Sequence, residues 1–281
     1  MWLEAVLGLV AFVTALALGM DLELRVKANN RTLSVFDPAR ERLWQGPFTF
    51  LQAADTQFGM IENYIERNAD PGWQQEIALT RKMVKAANAM SPRPRFLIIC
   101  GDLVDAMPGT PKNEPQIRDF KKVLEGLDNQ IPLVCVCGNH DIGNQPTVES
   151  IQHYNRHFGD DYFSFLCGGV KFIVLNSQFY ENPSKPDFNQ KCGQVVHLAE
   201  AHDTWLDSEL ADNNYRHLVI FQHIPWFLTR PDEPKQYFNI DFDLRHKMLS
   251  KFKQAVSETS ITHNYYPLDQ IPVKVDLELI G

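Results

Sequence analysis

Side chains that bind divalent metals follow four short apolar segments of the chain. Asp55 comes after the first segment, with Gln57 just beyond it, Asp102 after the second, Asn139 after the third and His223 after the fourth. A short apolar run is typical of a buried strand, and the residues after it stand at the strand's carboxyl end. Oxygen and nitrogen donors from several strand ends predict the metal site of an enzyme. The predicted ligands are Asp55, Asp102, Asn139 and His223, with Gln57 as an accessory residue.

The third segment continues into the tetrapeptide Gly138-Asn139-His140-Asp141. Gly138 allows a close turn of the backbone, so that Asn139 supplies a neutral carbonyl ligand. His140 is predicted to reach the substrate as a catalytic residue. Asp141 is predicted to be its catalytic partner, holding the imidazole in one tautomer.

Two of the predicted ligands have simpler explanations when each is taken alone. A carboxylate such as Asp102 is often the N-cap of a helix, and a histidine such as His223 is more often a hydrogen-bonded core residue. A buried carboxylate is nevertheless unfavourable unless it is paired or binds a cation. The occurrence of donors at four separate strand ends favours the metal site.

The elements that must position these donors alternate between strands and helices. The predicted strands are Phe48–Leu51, Phe96–Ile99, Pro132–Val136 and His217–Phe221. Apolar residues recur at helical spacing in residues 73–90 and 116–127, which predicts a helix between each successive pair of the first three strands. Two strand–helix–strand crossovers in succession predict an α/β fold.

Length and composition limit the kind of protein to which this site belongs. The chain has 281 residues, of which 44% are hydrophobic and 22% charged, so it can bury a sizeable core. The net charge of −8 argues against a nucleic-acid partner, because such proteins present basic surfaces. We therefore expect a globular enzyme that does not bind nucleic acid.

The cysteines and the first residues indicate different compartments. Five cysteines, an odd number without paired spacing, indicate a reduced, cytoplasmic protein. Residues 6–18 nevertheless form an apolar run that is short for a membrane span. A signal peptide, a membrane anchor and a buried helix remain alternatives for this run. The expected location is cytoplasmic, with a membrane-anchored or secreted protein as the alternative.

These motifs together resemble the pattern of the calcineurin-like metallophosphoesterase superfamily. Asp55-Thr56-Gln57 stands at its Asp-x-His, Gly101-Asp102 begins its Gly-Asp-x-x-Asp, residues 138–141 match its Gly-Asn-His-Asp, and Gln222-His223 its Gly/Gln-His. The resemblance implies an α/β fold, a four-layer αββα sandwich of two mixed β-sheets flanked by helices, incomplete at the C-terminal side. It also implies metal-dependent hydrolysis of phosphoesters by two divalent cations, which the donor types leave open among Mn, Fe, Zn and Mg.

A narrower resemblance, to a subgroup of protein phosphatases that also has Gln at the position of Gln57, implies a Ser/Thr phosphatase. Its substrate would be a phosphoprotein, with an Akt-family kinase as the substrate that the subgroup suggests. The resemblance implies in-line attack on phosphorus, while His140, oriented by Asp141, stabilises or protonates the leaving alkoxide. We expect a monomer that contacts membranes only if its first 20 residues anchor it.

The last motif of the pattern, Gly-His-x-His, is absent from the sequence. By the resemblance, one ion would bind Asp55, Asp102 and a missing histidine. The other ion would bind Asp102, Asn139, His223 and a second missing histidine. We therefore expect one weakly bound ion and impaired activity. The alternative is a catalytically inactive phosphatase-like binding module, or a competitor of an intact enzyme.

The resemblance divides the chain into a leader and one domain. Residues 1–28 do not resemble the usual beginning of the family and are expected to form an apolar leader. Residues 29–281 are expected to form the phosphoesterase domain, with an internal deletion after about residue 256, where the Gly-His-x-His segment would lie.

Overall fold

The computed structural model describes residues 22–180, 193–212, 214–255 and 261–262. The apolar run at residues 6–18 and Cys192 lie outside these described residues. In the described part of the chain, no helix combines the length and the apolar character needed to cross a membrane.

The described structure consists of seven α-helices, seven strands, one short π-helix and one short 3-10 helix. In chain order they are α1 (Pro38–Arg42), β1 (Leu51–Ala53), a π-helix (Ile61–Ile65), α2 (Gln74–Ala89), β2 (Leu97–Cys100), α3 (Asn113–Leu124), β3 (Leu133–Val136), α4 (Asn139–Ile142), α5 (Val148–Phe158), β4 (Phe163–Cys167), β5 (Val170–Val174), a 3-10 helix (Ser177–Tyr180), α6 (Gly193–Ala211), β6 (His217–Phe221), α7 (Phe242–Ala255) and β7 (Ile261–Thr262).

Three parallel strands form the first sheet. The strands β1, β2 and β3 lie side by side in that order, with Ala53 opposite Ile99 and Cys100 opposite Val136. Helix α2 connects β1 to β2, and α3 connects β2 to β3. Both predicted crossovers are confirmed. Because parallel strands share a direction, the three carboxyl ends lie at one edge of the sheet.

The second sheet is mixed. The strands β4 and β5 form an antiparallel hairpin, while β6 pairs with β5 and β7 with β6 in parallel. His223 follows two residues after the end of β6. The second sheet thus supplies the fourth predicted ligand, whereas the first sheet supplies the other three.

Alternate residues of each strand enter different cores, which produces the four layers. In β2, Leu97 and Ile99 pack under the helices of the first sheet, while Ile98 packs against the second sheet. In β5, Ile173 packs with residues of α6 and α7 on the outer side of the second sheet. The space between the sheets is filled by stacked and edge-on phenylalanines, which are Phe50, Phe96, Phe165, Phe172 and Phe221. The predicted αββα sandwich is confirmed, and the described strands of its first sheet are all parallel.

The prediction missed helix α5. Its first turn is capped by Thr147, whose hydroxyl accepts the N–H of Ser150 at 3.1 Å. The hydroxyl of Ser150 in turn accepts the N–H of Thr147 at 2.9 Å. This reciprocal pair is a helix-start signal that was present in the sequence as Thr-x-x-Ser.

Candidate metal centre

The four predicted ligands lie together at the carboxyl ends of β1, β2, β3 and β6. Asp55, Asp102 and His223 offer ligand atoms that all lie within 4.8 Å of one another. The side-chain oxygen of Asn139 lies 3.1 Å from Nε2 of His223. Both sheets therefore contribute donors to a single cluster, as the sequence predicts.

The hydrogen bonds of His223 fit a metal ligand. Its Nδ1–H donates to the carbonyl oxygen of Cys100 at 3.0 Å, so a neutral ring carries its lone pair on Nε2. Nε2 faces the Asn139 oxygen and, at 3.5 Å, Oδ2 of Asp102. Three electron-pair donors facing one another repel unless a cation or a proton lies among them. The residues therefore fit a divalent ion held by Asp102, Asn139 and His223, with Asp55 beside them.

Backbone hydrogen bonds tie together the loops that carry these donors. The N–H of Asp55 donates to the carbonyl of Gly101 at 3.1 Å, and the N–H of Gln57 donates to the carbonyl of Asp102 at 2.9 Å. The N–H of His140 donates to Oδ1 of Asp102 at 2.8 Å. The loops after β1, β2 and β3 are thereby joined through the loop that contains Asp102.

Three non-glycine residues of these loops have a left-handed backbone. Their φ angles are +52° at Asp55, +31° at Gln57 and +48° at Asp102. This conformation costs about 1–2 kcal/mol for a residue with a Cβ. Such strain is concentrated at functional sites, where the surrounding structure holds it in place.

Two glycines let these loops approach one another closely. A Cβ at Gly101, whose φ is +84°, would lie 2.3 Å from Nδ1 of His223. A Cβ at Gly138 would lie 2.3 Å from Oδ1 of Asp102. Gly138 has a φ of −112°, which any residue can adopt. The close turn predicted at Gly138 is therefore required for space between two loops.

Gln57 lies beside the cluster and contacts a different carboxylate. Its Nε2 donates to Oδ1 of Asp105 at 3.4 Å. The other carboxylate oxygen of Asp105 accepts from Nδ2 of Asn63 at 2.9 Å. The accessory residue thus helps to hold the buried Asp105, which the sequence analysis did not single out.

Asp105 rather than Asp141 is the partner of the His140 ring. Nδ1 of His140 donates to the carbonyl oxygen of Asp105 at 2.5 Å and lies 3.7 Å from its carboxylate. The Asp141 carboxylate instead accepts the backbone N–H of Leu103 at 3.0 Å and that of Gly138 at 2.7 Å. The predicted contact between Asp141 and the His140 imidazole is therefore wrong, because backbone groups occupy both oxygens of Asp141. The signal for Asp105 was its place as the second acidic residue of Gly-Asp-x-x-Asp.

Burial suppresses ionisation of several groups next to the cluster. It raises the pKa of Asp141 well above its usual range, and the charge of Asp102 adds to the rise. Burial likewise raises the pKa of the Cys100 and Cys137 thiols. Because a cysteine attacks as its thiolate, neither thiol is suited to act as a nucleophile.

The sequence matches a known family and curated relatives over most of its length. The calcineurin-like phosphoesterase family matches residues 48–269. Serine/threonine-protein phosphatase CPPED1 of Homo sapiens is 45% identical over 247 residues, which cover 85% of this chain and 76% of the relative. CPPED1 of Danio rerio is 40% identical over 252 residues, which cover 88% of this chain and 79% of the relative.

Two solved structures are more distantly similar. Purple acid phosphatase PPD1 from yellow lupin (Lupinus luteus) is 12% identical with a TM-score of 0.40, covering 64% of this chain and 30% of that chain. PhoD is 12% identical with a TM-score of 0.41, covering 75% of this chain and 50% of that chain.

Proposed function

The chain belongs to the calcineurin-like phosphoesterase family, and we propose that it is a protein serine/threonine phosphatase that works with a single divalent ion. The observation that carries the proposal is the convergence of Asp102, Asn139 and His223 beside His140. The choice of substrate is supported by the relatives, since those 40% and 45% identical are named serine/threonine-protein phosphatases.

The residues around the cluster suit hydrolysis of a phosphomonoester. A divalent ion bound here would polarise the phosphoryl group and make water a better nucleophile. The released serine or threonine oxygen needs one proton as its bond to phosphorus breaks. His140 donates through Nδ1 to the carbonyl of Asp105, which leaves Nε2 to deliver that proton. The Asp105 carboxylate, 3.7 Å away, stabilises the protonated imidazole before transfer.

We expect Asp105→Asn to lower kcat for a phosphoserine peptide without changing the amount of bound metal. The carbonyl of residue 105 still accepts from Nδ1 of His140, but the carboxylate that stabilises the imidazolium is lost. General acid catalysis contributes about 10²–10⁴-fold, so the decrease should be smaller than that of His140→Gln. The measurements are the pH profile of kcat and the metal content of both variants. An unchanged kcat and pH profile in Asp105→Asn would contradict the positioning role.

The proposed single ion follows from the ligands that the sequence retains. After His223 the sequence has only His246 and His263, and neither lies in a Gly-His-x-His. His246 is on α7, where its ring packs on Phe242 with centroids 4.3 Å apart. The mixed oxygen and nitrogen donors of the cluster admit Mn, Fe, Zn or Mg.

The same missing motif favours one alternative, a phosphatase-like module that binds a phosphoprotein without hydrolysing it. Two-metal phosphoesterases stabilise both the attacking and the leaving oxygen of the displacement. With fewer ligands, the chain would keep a phosphate-binding surface and lose part of this stabilisation. The two functions differ in whether the folded protein releases phosphate.

The test begins with protein stripped by EDTA and restored with excess Mn²⁺. Phosphate release is measured from p-nitrophenyl phosphate and from peptides of one sequence phosphorylated on Ser, Thr or Tyr. We expect metal-dependent hydrolysis with a preference for the Ser and Thr peptides. No turnover by folded protein with Mn, Fe, Zn or Mg would overturn the enzyme and favour the binding module. A preference for the Tyr peptide would overturn the substrate assignment alone.

We extend the proposal to the partner and the compartment. The partner is a phosphoprotein, and an Akt-family kinase is the first one to test, on the strength of the subgroup resemblance. A cytoplasmic location is supported by four free, buried thiols among the described residues, since disulfides are rare in the cytosol. They are Cys100, Cys135, Cys137 and Cys167.

A further inference from the structure

A second cluster of metal-binding side chains lies between α3 and α5, separate from the residues of the candidate metal centre. Glu114 is in the first turn of α3, and His153 and His157 are four residues apart on α5. Residues at this spacing share one face of a helix. Ligand atoms of the three side chains all lie within 4.8 Å of one another.

The distances within this cluster suit an ion. Oε1 of Glu114 lies 3.4 Å from Nε2 of His157 and 3.7 Å from Nδ1 of His153. Both distances exceed the usual range of a hydrogen bond, about 2.7–3.2 Å. Ligands about 2.0–2.1 Å from a tetrahedral zinc ion are about 3.3–3.4 Å from one another. The two distances therefore resemble the edges of a zinc coordination polyhedron.

Asn113 fixes the tautomer of His153. Nδ2 of Asn113 donates to the carbonyl of Ala106 at 2.6 Å, so its Oδ1 is the atom that accepts Nε2–H of His153 at 2.8 Å. The lone pair of His153 is then on Nδ1, on the side of Glu114. A buried amide that orients a ligand in this way is a common outer-shell feature of metal sites. Arg156 also contacts Nδ1, at 3.3 Å, but its side chain is exposed and can rotate into solvent.

His157 can present Nε2 to Glu114, on the side where Nδ1 of His153 also lies. Nδ1 of His157 lies 3.0 Å from Nζ of Lys121, and its Nε2 faces Glu114. Nε2 is therefore the nitrogen that an ion beside Glu114 would bind.

We propose that Glu114, His153 and His157 form a second metal site, which binds Zn²⁺ with water as the fourth ligand. Two imidazoles and one carboxylate are donors that zinc accepts in tetrahedral geometry. The ion joins α3 to α5. The Asn113 contact to Ala106 and a hydrogen bond from Ser150 of α5 to the carbonyl of Ile142 link these helices to the segments next to Asp105 and His140. The site is argued from its own residues and is independent of the proposed phosphatase activity.

The test is a calorimetric titration with Zn²⁺ of protein carrying Asp102→Asn, which removes the candidate centre from the measurement. Two further variants, Glu114→Gln and His153→Ala, each delete one ligand. The control is His197→Ala, because His197 is exposed and pairs with Glu200 on another helix, α6. Thermal unfolding shows that each variant is folded, and Glu114 is exposed enough for its replacement to leave the core intact.

We expect both ligand variants to raise the Kd for Zn²⁺ by about 100-fold or more, because loss of an outer-shell residue alone reaches about 100-fold. His197→Ala should leave the Kd unchanged. Co²⁺ in place of Zn²⁺ should give the strong visible absorption of a tetrahedral site, lost in the same variants. Equal Zn²⁺ affinity in His153→Ala and His197→Ala, or no binding in the parent, would overturn the proposal.

Discussion

Asp102→Asn should remove the divalent ion from the candidate metal centre and lower kcat/KM for p-nitrophenyl phosphate by about 10³-fold or more. Polarisation by a metal contributes several kcal/mol to such reactions, and each 1.36 kcal/mol is about tenfold in rate. The Asp102 carboxylate is buried, and Oδ2 faces Nε2 of His223 at 3.5 Å. An amide nitrogen there would face the lone pair of His223 and repel a cation. The remaining amide oxygen would still accept the N–H of His140, so the loop should keep its shape.

The control for this variant is Asp128→Asn. Asp128 carries the same charge and lies 3.8 Å from Arg93, and an Asn there still accepts the N–H of Gln130. Bound Mn²⁺ is counted after dialysis, and thermal unfolding verifies that both variants are folded. If Asp102→Asn retained both Mn²⁺ and turnover at the level of the control, the assignment of Asp102 as a ligand would be wrong.

Gly101→Ala should abolish metal binding and turnover, although it adds a single methyl group. The new Cβ would lie 2.3 Å from Nδ1 and 2.5 Å from Cγ of His223. His223 must therefore move, which also breaks its hydrogen bond to the carbonyl of Cys100. We expect the left-handed backbone to cost about 1–2 kcal/mol of folding free energy and the overpacking about 1–3 kcal/mol more.

Gly109→Ala separates these two effects. Gly109 has a φ of +80°, close to the +84° of Gly101, but a Cβ there would meet no atom within 4 Å. The control should lose the backbone contribution alone and keep its metal and activity. Chemical denaturation, metal content and phosphate release are measured on both variants. Equal effects of the two substitutions would show that the contact with His223 does not govern the site.

The arrangement of the sheets was largely predictable because each strand has a simple pattern. The apolar runs ending near Asp55, Asp102 and Asn139 are joined by amphipathic helices, and parallel pairing then places their carboxyl ends together. The family assignment from the four motifs is confirmed by the match over residues 48–269. The metal-binding roles of the individual residues stay predictions.

The partner of His140 was not predictable from local spacing. Asp141 is adjacent in sequence and is predicted to orient the ring, but its oxygens accept the N–H groups of Leu103 and Gly138. Asp105 is 35 residues from His140 and meets it only because β2 and β3 are neighbours in register. Side-chain partners across loops depend on such register, which a single sequence does not specify.

The hydrogen bonds from backbone N–H groups between the loops after β1, β2 and β3 affect how tightly an ion is bound. Asp55, Gln57 and His140 are each held to the Gly101-Asp102 segment by a backbone N–H. The conformational entropy of these loops is therefore lost when the chain folds, and little remains to be lost on binding. A preorganised site of this kind gains affinity from rigidity, so a site with few ligands can still retain its ion.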